Sequence, residues 1–88
     1  SFNNLKIYAS PENFLNASLE ANPNAAVAYF LRGNYYKEKN ERNKAIEDYS
    51  NAIKIDSQYA EALNNRGSMY GVIGQFELSI NDLNKAVK

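Results

Sequence analysis

The sequence predicts an all-α protein built from repeated helix pairs, and three observations support that prediction. First, the sequence resembles itself when it is shifted by 34 residues, since nine of the 29 residue pairs compared are identical. Second, apolar side chains within each unit recur every three or four residues, which is the spacing of one helix face. Third, Asn40 and Gly74 occupy equivalent positions between apolar segments, and both residue types favour the left-handed conformation that ends a helix.

These patterns divide the chain into five predicted helices. Ser10 followed by Pro11 favours a helix start, because serine is a good N-cap and proline suits the first helical turn. Asn22 and Pro23 favour the end of that helix, since a residue that precedes proline avoids helical geometry. Two helix pairs follow, each joined by a tight turn. The predicted helices span about 11–21, 25–39, 43–56, 60–73 and 76–88. Residues 2–9 are either the end of an earlier helix or a disordered end.

An arginine followed by a glycine recurs inside the first helix of each pair, at 32–33 and 66–67. Glycine in a helix interior costs about 1 kcal/mol relative to alanine, so its repetition predicts a close approach between two helices. Small and large side chains on the neighbouring faces are expected to complete this contact: Ala45, Ala52, Ala86, Tyr29, Tyr36 and Tyr49. The arginine stems are expected to cover the groove between helices, and their charged ends to pair with Asp48 and Asp82 or with backbone carbonyls.

The spacing of these residues resembles the tetratricopeptide repeat, a 34-residue helix–turn–helix unit. The positions that match its pattern are Tyr29, Gly33, Tyr36, Ala45, Tyr49 and Ala52, then Leu63, Gly67, Tyr70, Ser79, Leu83 and Ala86. The resemblance implies a right-handed solenoid of about two and a half repeats in one domain, 1–88. Within it, residues 1–25 would form a partial repeat, 26–59 a full repeat and 60–88 a truncated one.

The resemblance also implies where a partner would bind. In this family the first helices of successive units line a concave groove that holds an extended peptide or a helix of a partner protein. The residues expected to face the partner combine an apolar patch with amides that can bind a peptide backbone. They are Val27, Phe30, Leu31, Asn34, Asn64, Asn65 and Ser68. The alternative is that these positions are merely solvated helix faces.

A more specific mode of binding can be compared with the sequence. Some tetratricopeptide domains grip the C-terminal carboxylate of a chaperone with lysine, arginine and asparagine side chains. Asn34 and Asn65 match the two asparagine positions, but the first lysine position is Phe30 and the remaining cations would come from a third unit. A carboxylate clamp is therefore not expected.

Composition narrows the classes of function. The 88 residues carry ten basic and ten acidic side chains and no histidine or cysteine, so the commonest general base, the thiol nucleophile and the usual zinc ligands are missing. We expect no catalysis, cofactor or metal. Zero net charge argues against nucleic acid, and no apolar run is long enough for a membrane span. The expected partner is a protein or peptide, and the compartment stays open.

The last helix suggests a second function. It carries a set of apolar residues with no later helix in the sequence to cover them: Phe76, Leu78, Ile80, Leu83 and Val87. Repeat arrays normally end in polar caps, so an apolar strip predicts either a segment of a longer array or self-association through this helix. The competing hypothesis is therefore a structural segment that forms a homo-oligomer through its C-terminal helix.

Overall fold

The computed structural model describes residues 10–88 and contains five α-helices and no β-strand in that range. The helices are α1 (Pro11–Ala21), α2 (Ala26–Glu38), α3 (Arg42–Ile55), α4 (Ala60–Val72) and α5 (Phe76–Ala86). All five predicted helices are confirmed, each end lying within two residues of its predicted position. The prediction for residues 2–9 lies outside the described residues, and the division into one partial and two further repeats stays a prediction.

Helix α1 begins and ends through backbone geometry rather than through a side-chain cap. Ser10 occupies the N-cap position in an extended conformation and Pro11 follows it, but the serine side chain makes no capping hydrogen bond. Instead its backbone carbonyl accepts a 3.0 Å hydrogen bond from the Phe14 N–H. At the other end, the Asn22 N–H donates to the Ser18 carbonyl. The predicted cap residue is therefore correct, whereas its side chain contributes no capping bond.

The two hairpins, α2–α3 and α4–α5, turn in the same way. Asn40 and Gly74 adopt positive φ angles of 61° and 84°, as predicted from their equivalent positions. In each turn, the residue after the one with positive φ donates its N–H to the carbonyl five residues earlier. Glu41 donates to Tyr36 at 2.9 Å, and Gln75 donates to Tyr70 at 2.8 Å. This is the hydrogen bond of a Schellman motif, which satisfies helix-end carbonyls while reversing the chain.

Glycine permits the close contact inside each hairpin. A Cβ atom placed on Gly33 would lie 2.7 Å from a ring carbon of Tyr49, and one on Gly67 would lie 3.0 Å from Leu83 Cγ. The predicted close approach is thus confirmed in both hairpins. Ala45 and Ala52 complete the first contact with no exposed surface. Ala86 was predicted to complete the contact in the second hairpin, and it is half-buried.

The hairpins stack side by side into an elongated body of 48 × 24 × 15 Å. Its radius of gyration is 14.0 Å, larger than the roughly 12 Å of a globular domain of this length. The 14 residues of α3 would span about 21 Å, so the helices lie across the long axis. The molecule is an all-α helical-repeat solenoid. None of the helices in residues 10–88 has the length and hydrophobicity needed to cross a bilayer.

Candidate functional site

Helices α2 and α4 present equivalent side chains on one shared surface, which we call the α2–α4 face. Its positions follow the i, i+4, i+7, i+11 spacing of a single helix stripe. The residues are Val27, Leu31, Asn34 and Glu38 from α2 and Glu61, Asn65, Ser68 and Val72 from α4. The asparagines are half-buried and the other six side chains are exposed. The face is therefore apolar at two opposite corners and polar at its centre.

A hydrogen-bonded pair of amides lies at the centre of the α2–α4 face. Asn65 Nδ2 donates to Asn34 Oδ1 at 3.0 Å, which joins the two helices directly. The same oxygen accepts a short hydrogen bond from the Tyr49 hydroxyl, which comes from α3. Tyr49 is completely buried, and this burial raises the pKa of its hydroxyl to about 12. The phenol is therefore neutral at physiological pH and fixes the orientation of Asn34.

The fixed amides leave complementary groups available. Within residues 10–88, Asn34 Nδ2 donates no hydrogen bond and Asn65 Oδ1 accepts none. One is a donor and the other an acceptor, which is the combination that a peptide group requires from its partner. Because Tyr49 and the Asn34–Asn65 bond hold both side chains in place, little rotamer entropy remains to be lost on binding.

The structure corrects one predicted site residue. Phe30 was expected to form an exposed apolar patch on this surface, but it is only 9% exposed and belongs to the hydrophobic core. Its ring packs against Tyr49 and Tyr59, with centroids 5.9 and 5.1 Å away. Tyr59 immediately precedes α4, so part of the phenylalanine is covered at the junction with the next repeat. Phe30 therefore supports the face from beneath and offers a partner little surface.

The other predicted residues lie where a partner could reach them. Val27 and Leu31 are 58% and 44% exposed, and Asn64 and Ser68 are also exposed. Asn34 and Asn65 come together as described above. Their part in binding stays a prediction.

A recess that sequence reasoning did not anticipate adjoins this surface. It has a volume of about 340 Å³ and lies between α1 and α2, lined by Pro11, Phe14, Leu15, Leu31, Asn34, Tyr35 and Glu38. Phe14 is 55% exposed, although its neighbours on α1, Leu15 and Leu19, are buried. The repeat gave no signal for this exposure, because the position equivalent to Phe14 in the next unit is Asp48, which is buried.

Two arginine networks hold the helices that carry these surfaces. Arg32 donates two 2.8 Å hydrogen bonds to Asp48 and one of 2.9 Å to Asn16, so it joins α2 to both α3 and α1. The predicted pairing with the aspartate is confirmed. The hydrogen bonds to Asp48 raise the pKa of the Arg32 guanidinium, so the arginine keeps its positive charge at ordinary pH. The second hairpin repeats the arrangement with Arg66 and Asp82.

The side chains of these surfaces offer non-covalent contacts. Within the described residues, no three acidic side chains are grouped closely enough to hold a metal ion. The recess and the amide pair offer apolar area and hydrogen bonds, which are the usual components of a protein-binding surface.

Comparison with known proteins identifies the family. The family model described as "TPR repeat" matches residues 33–71, and the one described as "Tetratricopeptide repeat" matches residues 60–88. Together the two matches extend over every residue from Gly33 to Lys88. The chain belongs to the tetratricopeptide repeat family.

Among curated proteins, two tetratricopeptide relatives come from Arabidopsis thaliana. Hsp70-Hsp90 organizing protein 1 is 39% identical over 56 residues, which are 64% of this chain and 10% of that protein. The TPR repeat-containing thioredoxin TDX is 30% identical over 74 residues, or 84% of this chain and 20% of that protein. The chain thus spans between a tenth and a fifth of the length of these relatives. These tetratricopeptide matches support a protein-interaction module.

A solved tetratricopeptide-like structure shows the same architecture. The crystal structure of MamA superposes with a TM-score of 0.83 and 27% sequence identity, covering 98% of this chain and 50% of that one. The likeness extends over nearly the whole length of the chain and confirms the predicted helical-repeat solenoid.

Proposed function

We propose that the chain is a non-catalytic module that binds a peptide or a helix of a partner protein on the α2–α4 face. The observation that carries the proposal is the Asn34–Asn65 hydrogen bond across the junction of the two repeats. Each amide keeps one polar atom that forms no hydrogen bond within residues 10–88, and the buried Tyr49 hydroxyl fixes the orientation of Asn34.

Binding at this face would use a central polar contact between apolar corners. A partner backbone could accept a hydrogen bond from Asn34 Nδ2 and donate one to Asn65 Oδ1, while Leu31 and Val72 supply exposed apolar area. Each hydrogen bond of this type contributes about 1 kcal/mol. Affinity would therefore come from several modest contacts, and specificity from the side chains of the partner.

The face disfavours two other kinds of partner. Its charged residues, Glu38 and Glu61, are both acidic, which opposes binding of a nucleic acid backbone. The name of the similar Hsp70-Hsp90 organizing protein 1 makes a chaperone one candidate partner. However, Phe30 stands where a carboxylate clamp has its first lysine and is buried, so recognition of a free C-terminal carboxylate is not part of the proposal.

The proposal is tested by affinity capture followed by a binding measurement. Proteins retained from a lysate of the source organism would be identified, and the affinity of each purified candidate measured by calorimetry. Asn65→Ala removes the central acceptor, and we expect it to weaken binding by about tenfold, equivalent to one good hydrogen bond. Asn43→Ala, an exposed asparagine on α3, is the matched control and should leave the affinity unchanged. Equal affinities for the wild type, Asn65→Ala and Leu31→Asn would exclude the α2–α4 face.

A second candidate function is self-association through α5, and a specific observation favours it. Phe76 and Ile80 share one side of α5 and Val87 follows the last residue of that helix; the three side chains are 67%, 59% and 85% exposed. In the preceding repeat the equivalent side of α3 packs against α4, where Ile46 and Ile53 are half-buried. A surface that is covered in one repeat and open in the next could be covered by another copy of the chain.

Light scattering over a wide concentration range tests this alternative. Self-association predicts a mass that rises with concentration in the wild type and stays monomeric in Ile80→Glu. Lys85→Glu, an exposed change on the same helix, is the control for an added negative charge. A monomer at every concentration would contradict self-association without affecting the α2–α4 face.

A further inference from the structure

The recess between α1 and α2 continues directly into the α2–α4 face. Asn34 lines the recess and also accepts the hydrogen bond from Asn65. Leu31 likewise lines the recess and lies on the α2–α4 face. A bound chain could therefore contact both places at once, because they are separated by the width of one asparagine side chain. Successive residues of an extended peptide are about 3.3 Å apart, so neighbouring residues of a peptide can reach both.

The walls of the recess are suited to an apolar side chain. Phe14, Leu31 and Tyr35 are among the residues that line it, and Phe14 and Leu31 are each about half exposed to solvent. A volume of about 340 Å³ lies at the lower end of the range of ligand-binding pockets. This size suits one bulky side chain better than a whole helix, which has a diameter of about 10 Å.

The charge at the edge of the recess indicates the residue next to that side chain. Among the described residues that line the recess, Glu38 is the one that carries a charge, and it is exposed. A carboxylate at the mouth of an apolar pocket favours a basic residue beside the inserted side chain and disfavours an acidic one.

We propose that the α1–α2 recess is the specificity pocket for an extended peptide: it takes one bulky apolar side chain, with an adjacent lysine or arginine facing Glu38. This inference rests on the proposed function, because it places the peptide backbone at Asn34 and Asn65. It adds the feature that distinguishes one peptide from another, since amide contacts to a backbone do not depend on sequence.

Selection from a displayed library of random peptides tests the proposal without a known partner. The full chain is the bait, and the most enriched peptide is then synthesised with both ends blocked for affinity measurements. We expect the enriched peptides to share one large aliphatic or aromatic residue beside lysine or arginine. Replacing that apolar residue with alanine should weaken binding by about tenfold, and replacing the basic neighbour with glutamate should weaken it further.

Two variants connect the selected peptide to the recess. Leu31→Asn introduces the residue found at the equivalent position of the next repeat, Asn65, and should weaken binding by about tenfold. Ile55→Asn is the matched control, because Ile55 is 42% exposed compared with 44% for Leu31 and lies at the far end of α3. It should change the affinity by less than about twofold. Glu38→Lys should reverse the preference, so that a peptide with glutamate beside the apolar residue binds better than one with lysine.

The possible results separate this proposal from the one on which it rests. Binding that is weakened by Asn65→Ala but not by Leu31→Asn overturns the pocket and leaves the α2–α4 face as the binding surface. Binding that neither variant changes overturns both. Enrichment of no peptide beyond the level seen with Leu31→Asn also overturns the pocket. The same holds if Leu31→Asn lowers the mass of a self-associated species, since a second copy would then fill the recess.

Discussion

Arg66 donates two hydrogen bonds to Asp82, from Nε to Oδ2 at 2.7 Å and from Nη2 to Oδ1 at 2.8 Å, and the aspartate is only 2% exposed. The third hydrogen bond of this arginine, from Nη1, goes to Ser50 Oγ at 3.0 Å. Each arginine network in the chain therefore links a residue 16 positions earlier and a residue 16 positions later. Hydrogen bonding to Asp82 raises the pKa of the Arg66 guanidinium, so the arginine keeps its positive charge at ordinary pH.

Removing the arginine alone should destabilise the protein strongly. Arg66→Met keeps the packing of the aliphatic stem but leaves a buried carboxylate without its cation, and we expect the free energy of unfolding to fall by about 3 kcal/mol. The double variant Arg66→Met, Asp82→Leu removes both charges and should recover much of that loss. Urea unfolding followed by circular dichroism measures both. Unchanged stability in Arg66→Met, together with lost partner binding, would show that the arginine serves recognition instead of structure.

The close contact at Gly33 should not tolerate a methyl group. A Cβ atom there would lie 2.7 Å from the buried Tyr49 ring, and overpacking of this kind costs typically about 1–3 kcal/mol. Alanine favours the helix by about 1 kcal/mol, so Gly33→Ala should lower the free energy of unfolding by up to about 2 kcal/mol. Gly71→Ala is the control, since the nearest atom to its Cβ would be Ser79 Oγ at 3.3 Å, a short polar side chain. A control variant less stable than Gly33→Ala would contradict the packing argument.

Gly74 should be sensitive for a different reason. Its φ angle is 84° and an added Cβ atom would meet no atom within 4 Å, so a substitution there tests the backbone alone. Gly74→Ala should cost about 1 kcal/mol, the strain of the left-handed conformation for alanine. Gly74→Asn should cost less, because asparagine tolerates this conformation and occupies the equivalent position as Asn40 with a φ angle of 61°. Thermal unfolding of the two variants side by side distinguishes them, and equal losses would argue against backbone strain.

Stability should fall in alkaline solution because of Tyr49. Burial raises its pKa to about 12 in the folded protein, compared with about 10 in an unfolded chain. Between these pH values the unfolded state loses the tyrosine proton first. The contribution of the protonated Tyr49 to the free energy of unfolding is therefore fully present below pH 10 and is lost as the pH rises through 12. The two-unit difference corresponds to roughly 2–3 kcal/mol.

Comparison with Tyr49→Phe isolates this contribution from other alkaline titrations. The variant loses the hydroxyl hydrogen bond to Asn34 at every pH, but its stability should decline less between pH 9 and pH 12 than that of the wild type. Burial also raises the pKa values of Tyr36 and Tyr59, so part of the decline should persist. Parallel pH profiles for the variant and the wild type would exclude Tyr49 as the source.

The fold could be predicted from the sequence because each signal was local and occurred twice. Asn40 and Gly74 marked the turns, and the arginine, glycine and aspartate spacing recurred at the same period. Contacts within one hairpin join residues about 16 positions apart, as in Arg32–Asp48 and Arg66–Asp82. Because both partners lie inside one repeat, the same pair of residues occurs in each repeat and can be recognised in the sequence. The ion pair of Arg32 with Asp48 was predicted in this way and is present.

The site was harder to predict because it depends on contacts between repeats. Phe30 lies on the same side of α2 as exposed residues, and besides Tyr49 a second ring, from beyond the end of α3, covers it. The ring that does so belongs to Tyr59, whose equivalent in the preceding unit is Ala25. Helix periodicity reports which side chains share a face but not which neighbour lies against that face. The recess next to Phe14 escaped prediction for the same reason.

Each arginine takes part in two attachments of unequal strength. Inside a hairpin, Arg32 and Arg66 make charge-assisted, two-pronged contacts with aspartate, whereas their link to the preceding helix is one hydrogen bond to the neutral oxygen of Asn16 or Ser50. The helices of one hairpin also pack more extensively on each other than on the next hairpin. Tension along the 48 Å axis would therefore part the hairpins before it opens either of them. Under tension the protein would lengthen by separation of its hairpins, while each hairpin stays intact. The distance between binding residues on different hairpins would then change with the applied force.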